Sequence, residues 1–508
     1  MNLLSSTSVF TFYTLISRLL GYLRDILIAI FLGASIYADA FFVAFRFPNT
    51  FRRLFAEGTF NAAFIPSFAN EKIKGKIKGK KFADEVLSLL ILILLFIIFI
   101  IEIFTPFFVY LIAPGFYENS EKFNLAVEFT RITLPFLFFV SLSSFFSGIL
   151  NSYNKFAASA AAPIILNIIL ILSLILSHFF KLNFAKNLSY AVTLSGIIQL
   201  IFLIYFTKRF YSPSLEFRSK ISNKVKFFLK KLLPSVFSSG VTQINILVGT
   251  IIASFQAGAV SYLYYADRVY QINLAIAGIA VGAVSLPILS NYVKKKQYEK
   301  IKKIQNQSIE LSLLLSIPAC FGLLIASEEI ISALFGYGSF KEADVVLTSQ
   351  ALKYFGYGIP AFALIKILSN FFFANDNTKI PFYLSVFNVF INITISIYFF
   401  KEVGFIIIPI ATSVSTWIAA ILYIFILAKN RIFLIDISLV KNFLMILISS
   451  IIMSLILYFL IGLLEDKFVY GNNYKSIYLL IMIGLVAIIY LIICKIFGLL
   501  NFKKYKTN

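Results

Sequence analysis

Residues 85–112 read EVLSLLILILLFIIFIIEIFTPFFVYLI. Between Glu85 and the end of this run the only charge is Glu102, and polar and apolar residues do not alternate. A bilayer core of ~30 Å takes about 20 helical residues, whereas a transmembrane barrel strand takes about 10 residues of alternating polarity. The stretch therefore predicts a membrane-spanning helix.

Similar blocks recur along all 508 residues. Spans are expected at 8–32, 35–54, 85–112, 124–150, 158–178, 187–207, 232–255, 263–290, 306–333, 346–373, 380–400, 405–428, 442–463 and 476–495. The expected fold class is an all-α polytopic membrane protein with fourteen transmembrane helices. The composition agrees: 60% of residues are hydrophobic and 13% charged, against about 25% charged in a soluble domain. A soluble enzyme, a secreted domain and a disordered chain are excluded. Arg18, Arg24 and Asp25 interrupt the first apolar stretch, so it is not a cleavable signal and the first helix is expected to stay.

Lysine and arginine alternate between the connections. By position, 31 fall in one set of alternating segments and 7 in the other. The positive-inside bias then places both termini in the cytoplasm. The net charge of +22 is a topology signal and not a nucleic-acid footprint. The lysines of 72–81 (KIKGKIKGKK) can also meet anionic lipid heads.

An internal repeat organises the chain. Tyr37-Ala38-Asp39 and Tyr265-Ala266-Asp267 each open a span after a small-residue turn, and each span runs on to an apolar–Pro pair, Ile65-Pro66 and Leu286-Pro287. Pro163 and Asn167 match Pro381 and Asn388 more loosely. The repeat implies two pseudo-symmetric six-helix lobes, 1–207 and 232–428, joined by a basic cytoplasmic linker at 208–231. Residues 429–508 supply two further helices and a tail. Six is even, so the lobes share one topology, as in parallel-repeat transporters with a cavity between halves.

Charges inside spans are costly and so are paired or functional. In the first span Thr14, Ser17, Arg18, Gly21, Arg24 and Asp25 recur at helical spacing on one broad face. Two guanidiniums on such a stripe suit a diphosphate, each offering a fork of donors. The alternative is Arg24 paired with Asp25 or Asp39. Asp39 and the Asp267–Arg268 pair sit near span ends, as gating charges or as salt bridges and caps. Arg53 anchors the inner end of the second span, and Arg52 is placed to close the inner mouth. Asn388 and Asn392, one turn apart, can help coordinate a cation or bond between helices. Cys320 and Cys494 lie in apolar runs, and with His178 as the one histidine no metal cluster forms. No phosphate-cradling glycine loop or nucleophile–base pair appears, so neither an enzyme nor ATP-driven transport is expected.

The stretch 17–68, SRLLGYLRDILIAIFLGASIYADAFFVAFRFPNTFRRLFAEGTFNAAFIPSF, closely resembles the N-terminal signature of the MurJ (MviN) family. These are bacterial lipid II flippases of the multidrug/oligosaccharidyl-lipid/polysaccharide exporter superfamily. YYADRVYQ at 264–271, SLPILS at 285–290, NDNTKIPF at 375–382 and PIATSVSTW at 409–417 resemble later helices of that family. The resemblance implies two lobes around a cationic cavity that holds the diphosphate and sugar of lipid II, with the last two helices grooved for its polyprenyl tail. By motif position Ser17, Arg18, Arg24, Asp25, Asp39, Arg52 and Arg268 match residues that the family uses in the cavity or gates. Ser17, Arg18, Arg24, Asp25, Arg52 and Arg268 are expected to bind substrate, and Asp39 with Asp267 to serve gating. Asn388, Asn392 and Thr412 match sodium ligands of some members. The seventh-helix position often held by an acid there is Gly249 here, which counts against sodium coupling.

The expected activity is export of lipid II to the outer leaflet of the inner membrane, by a monomer that needs no resident cofactor. The expected partners are lipid II and membrane lipids. A flippase for another polyprenyl-diphosphate oligosaccharide presents the same diphosphate. A cation-coupled drug exporter would need acids where this chain has surplus arginine, and a non-transporting scaffold would not need the polar stripe.

Overall fold

The computed structural model describes residues 3–56, 59–215, 221–433 and 435–500, and the side chains among them except at 3–10, 51, 54–56, 59, 233–239 and 242. Part of the basic linker, 216–220, and the tail 501–508 lie outside the described residues. The described residues form helices and connections with no strand. In chain order the helices are α1 (Leu3–Leu32), α2 (Ile36–Ala56), α3 (Thr59–Ile73), α4 (Lys76–Ile103), α5 (Thr105–Ile112), α6 (Ser120–Thr133), α7 (Pro135–Ser152), α8 (Phe156–Phe179), α9 (Phe184–Thr207), α10 (Asn223–Ala253) and α11 (Ala259–Leu274). A π-helical segment, Ala275–Ala280, leads into α12 (Val281–Lys294). Then come α13 (Tyr298–Phe335), α14 (Glu342–Gly356), α15 (Ile359–Phe373), α16 (Lys379–Val403), α17 (Ile407–Lys429), α18 (Ile437–Leu463), α19 (Glu465–Phe468) and α20 (Lys475–Ile496).

Among the described residues nine helices are long and apolar enough to cross a membrane, or ten with the bent pair α14 and α15 taken as one span. Helix is the form that satisfies every backbone group without water. Several expected spans are broken where proline removes a donor from the ladder. Pro106 starts α5, Pro135 starts α7, and Pro360 opens α15 at a bend of 40° from α14.

By internal contacts the chain divides into two units, Met1–Ser261 and Tyr262–Asn508. In the first, α8 lies against α1 and α9, α2 packs on α6, and α3 is covered by α4, α7 and α10. Phe64 of α3 centres an aromatic cluster, 5.2 Å from Phe60, 5.6 Å from Phe68 and 5.1 Å from Phe145 between ring centroids. Gly148 permits it, since a Cβ there would lie 2.8 Å from the Phe64 ring. A Cβ at Gly115 would lie 2.5 Å from the backbone of Phe255, so the turn after α5 can sit on the end of α10 only with glycine. In the second unit α13 is the hub, packed by α14, α15 and α18, with α16 paired to α17.

Three acids strap the linker and the start of α10 to the first unit. Asp84 accepts from the Tyr211 hydroxyl (2.6 Å) and from the Ser214 backbone N–H (3.0 Å). Glu85 accepts from the Ser222 N–H at 2.5 Å. Buried Glu71 of α3 pairs with Lys224 of α10 (2.6 Å) and Lys74 (2.5 Å). Lys224 first and Lys74 second hold the Glu71 carboxyl below its ordinary value, against the opposing effect of burial. A depressed carboxylate contributes stability above its unfolded pKa and loses it as pH falls through the folded pKa. Glu71→Gln should therefore lower the melting temperature of detergent-purified protein at pH 7, a loss of about 1 kcal/mol because both lysines are half-exposed. The gap from wild type should close as pH falls below about 4.3. A gap that stays constant down to pH 3 would remove the ion pair from the account.

Candidate functional site

Arg24 lies two-thirds of the way along α1, where spacings of three, four and seven residues align a polar stripe. Its Nε and Nη2 donate to Asp25 Oδ1 at 2.9 and 2.7 Å, and its Nη1 donates to Asn167 Oδ1 at 2.9 Å. Asn167, on α8, donates its own amide to the Ser17 carbonyl at 2.9 Å and lies 3.5 Å from the Ser17 hydroxyl. Arg24, Asp25 and Asn167 are all buried. The structure thus gathers three of the sequence candidates, Ser17, Arg24 and Asp25, around a residue that the sequence marks only as a repeat position. Arg18 stands apart, exposed and with no acidic partner among the described residues. Arg24 is charge-compensated in place, so the surplus cation of this stripe is Arg18.

Asp39, at the start of α2, is wholly buried and fully bonded. Its carboxylate takes Lys122 Nζ at 2.5 Å, the N–H groups of Gly258 (3.0 Å) and Ser261 (2.9 Å), and the Ser261 hydroxyl (2.6 Å). Gly258 and Ser261 flank the start of α11, where free N–H groups and the helix dipole favour an anion. Asp39 is therefore both a buried ion pair and a helix cap, tying α2, α6 and the start of α11 inside the first unit. Lys122 also lies 4.1 Å from the Phe116 ring centroid. By sequence position alone Lys122 counts among the loop charges.

The second copy of the motif behaves otherwise. Asp267 is half-buried and accepts from the Gln271 amide, one turn on. Arg268 Nη2 donates to the Tyr264 hydroxyl at 2.9 Å and its guanidinium lies 4.8 Å from that ring's centroid. Arg52 Nε donates to Asn49 Oδ1 at 3.0 Å, back along its own helix.

Asn392 and Thr412 meet between α16 and α17, the Asn392 amide donating to Thr412 Oγ1 at 3.1 Å. Asn392 Oδ1 accepts from Ser396 at 3.1 Å, and Asn388 Oδ1 is buried with no hydrogen-bond partner. A sodium cage needs several oxygens converging on one point, as hard cations take oxygen ligands. Here Asn392 turns its NH₂ toward Thr412 and its oxygen toward Ser396, and none of the three residues is a carboxylate. The arrangement is that of an interhelical hydrogen bond and does not fit the ion.

Residues 28–479 match the family described as "Lipid II flippase MurJ". A Rhizobium tropici protein named "Probable lipid II flippase MurJ" is 38% identical over 453 residues, covering 88% of this chain and 85% of that one. A solved structure titled "Lipid II flippase MurJ, inward closed conformation" superposes with a TM-score of 0.82 at 29% identity, covering 96% of this chain and 98% of the other. An inward-facing multidrug resistance MATE transporter of the MOP superfamily shares the fold, with a TM-score of 0.64 at 15% identity over 83% of this chain and 99% of that one.

Removing one partner of a buried ion pair strands the other and costs about 3–5 kcal/mol. Lys122→Met should therefore destabilise the purified protein strongly. Adding Asp39→Asn should recover part of the loss, because the stranded charge goes with it. Thermal melts of the two single variants and the double variant measure the coupling. Additive losses would mean that Asp39 and Lys122 do not interact energetically.

Proposed function

This chain belongs to the lipid II flippase MurJ family, and on that premise we propose that it moves lipid II from the inner to the outer leaflet of the cytoplasmic membrane. Its apolar helices and its family make it a multi-pass inner-membrane protein. The proposed topology has fourteen crossings with both termini in the cytoplasm. In it α1 and α2 cross despite their charges, α16 and α17 cross separately at the Gly404 turn, and the lobes 1–207 and 232–428 rock against each other. Residues 429–508 then accompany the polyprenyl tail.

One observation supports this reading most directly: buried Arg24 held between Asp25 and Asn167, with Arg18 exposed on the same helix. A diphosphate brings oxygens that match guanidinium forks. When it arrives, Arg18 meets it first and Arg24 exchanges Asp25 for phosphate oxygen. When it leaves, Asp25 takes Arg24 back, so the empty site never holds an uncompensated buried cation. Arg52 and Arg268 are proposed as further head-group donors, and Asp39 with Asp267 are proposed for the gates. The work is binding and movement, with no bond made or broken.

The driving force proposed is the membrane potential. A head group with about two negative charges gains ~4–5 kcal/mol on moving outward across 100 mV, interior negative. No step requires sodium.

The test is flipping of fluorescent lipid II in proteoliposomes, with a potassium diffusion potential set and sodium absent, beside native mass spectrometry of lipid retention. Wild type should flip under these conditions, and Arg24→Ala at equal protein level should fall by about tenfold or more. Selective retention of lipid II, lost in Arg24→Ala, would support both substrate and site. Equal retention of every polyprenyl diphosphate would overturn the substrate assignment. Unchanged flipping by Arg24→Ala would overturn the site, and a strict sodium requirement would overturn the driving force.

A further inference from the structure

The helix that carries Asp267 and Arg268 does not continue as an α-helix. Between α11 and α12 its ladder passes through six residues of π-helix, Ala275–Ala280. A π turn accommodates an extra residue, and a helix rotates about 100° per residue, so such a segment turns everything before it relative to everything after it. It also leaves carbonyls badly placed for the helix's own donors.

Neighbouring helices of the same unit donate to two carbonyls, one in and one just after the segment, the second of which also accepts from Ser285 on its own helix. Ser312 of α13, wholly buried, donates its hydroxyl to the Ala277 carbonyl at 2.9 Å. Asn370 of α15, also buried, donates its amide to the Gly282 carbonyl at 2.8 Å and lies 3.4 Å from the Ser285 hydroxyl. Glycine lets α15 come this close: a Cβ on Gly278 would lie 3.2 Å from the Ala363 Cα, and one on Gly282 would lie 3.3 Å from the Asn370 amide.

Both ends of the helix are fixed by packing. Tyr265 lies 5.1 Å from Phe335 and Tyr270 stacks 5.0 Å from Phe355, measured between ring centroids. Beyond the π segment, Val281, Ser285 and Leu289 are buried.

We infer that the π segment Ala275–Ala280 sets the direction in which Arg268 faces, and that Ser312 and Asn370 are positioning residues that hold it. The inference rests on the reading of Arg268 as a head-group donor. The polar face of α11, with Asp267 and Arg268, is aimed by a local register shift whose partners sit two to four turns away on α13 and α15.

Deleting Ile276, an exposed residue inside the segment, tests this. The deletion should restore an α ladder while turning Arg268 by about 100°. Amide exchange in peptides covering 271–285 should slow by about tenfold, and flipping should fall by about tenfold. A merely structural role predicts that activity follows stability, whereas here protection rises as activity falls. Ser312→Ala and Asn370→Leu give the opposite arm: exchange at 277–282 should quicken by about threefold or more while flipping falls. These variants also decide the question if the deletion does not insert. Arg268→Ala separates the two readings, since it should stop flipping and leave exchange unchanged. Normal flipping by Arg268→Ala would sink the role of Arg268. Wild-type flipping by the deletion variant, or by both point variants, would overturn the inference itself.

Discussion

A guanidinium in the interior of a membrane protein needs all of its donors answered, because hydrocarbon answers none of them. Arg24 meets that demand with two helices. Asp25, its neighbour in the chain, takes two of its donors through one oxygen. The remaining donor needs an acceptor from outside α1, and Asn167 on α8 supplies it. Asn167 then spends its own amide on the Ser17 carbonyl, two turns earlier on α1. One side chain thus fixes both the guanidinium and the register of α1 against α8. The packing of these two helices is in part a consequence of charge satisfaction. In lipid, where apolar helix faces gain little by leaving the acyl chains, such polar contacts carry more of the specificity.

The same three letters, Tyr-Ala-Asp, solve different problems in the two units. Asp39 is surrounded by a lysine, two backbone donors and a hydroxyl, and nothing of it remains free to meet a ligand. Asp267 has Gln271 on its own helix and stays half-buried. The difference lies in what surrounds each acid. Asp39 reaches the open N–H groups around the start of α11, where the Ser261 hydroxyl and Lys122 complete the anion site. A carboxylate bonded on every side ties α2 and α6 to the start of α11. Asp267 and its neighbour Arg268 occupy the more adaptable position. The internal repeat thus places its acid in the first turn of α2 but in the third turn of α11, and leaves its chemistry to the local surroundings.

Much of this fold is legible in the sequence because membrane helices announce themselves by long apolar blocks, whereas the breaks at Pro106, Pro135 and Pro360 are not legible, since Pro48, Pro66 and Pro163 sit inside continuous helices. The polar stripe of α1 is legible for a similar reason, since Ser17, Arg24 and Asp25 share a face by spacing alone. Asn167 is not, because it lies 143 residues from Arg24 and its partnership exists only after α8 packs. Lys122 escapes for a related reason. Its position in the chain is that of a loop lysine, and only the burial of the start of α6 against Asp39 gives it a role. Asn392 and Thr412 stand out as a pair, but which atom faces which depends on Ser396. The π segment leaves no mark at all: AIAGIA reads as ordinary helix, and Ser312 and Asn370, which donate to the Ala277 and Gly282 carbonyls, lie on other helices.

These placements bear on how charge can move through such a protein. The arginines belong to the protein and return to their starting places each cycle, so the potential does no net work on them. Only the anion that leaves counts, and its ~2.3 kcal/mol per charge per 100 mV is available once for each passage. That energy can be lost at either end of the cycle if a buried cation is left bare, because stranding it costs about as much as the potential provides. In the proposed cycle Asp25 beside Arg24 prevents this loss by standing in for the departing phosphate. An arginine with a built-in replacement anion binds its ligand less tightly than a bare one would, since each exchange trades one anion for another. Weak, reversible holding is what a carrier needs, and a neutral pair that opens for a diphosphate and closes behind it provides that balance.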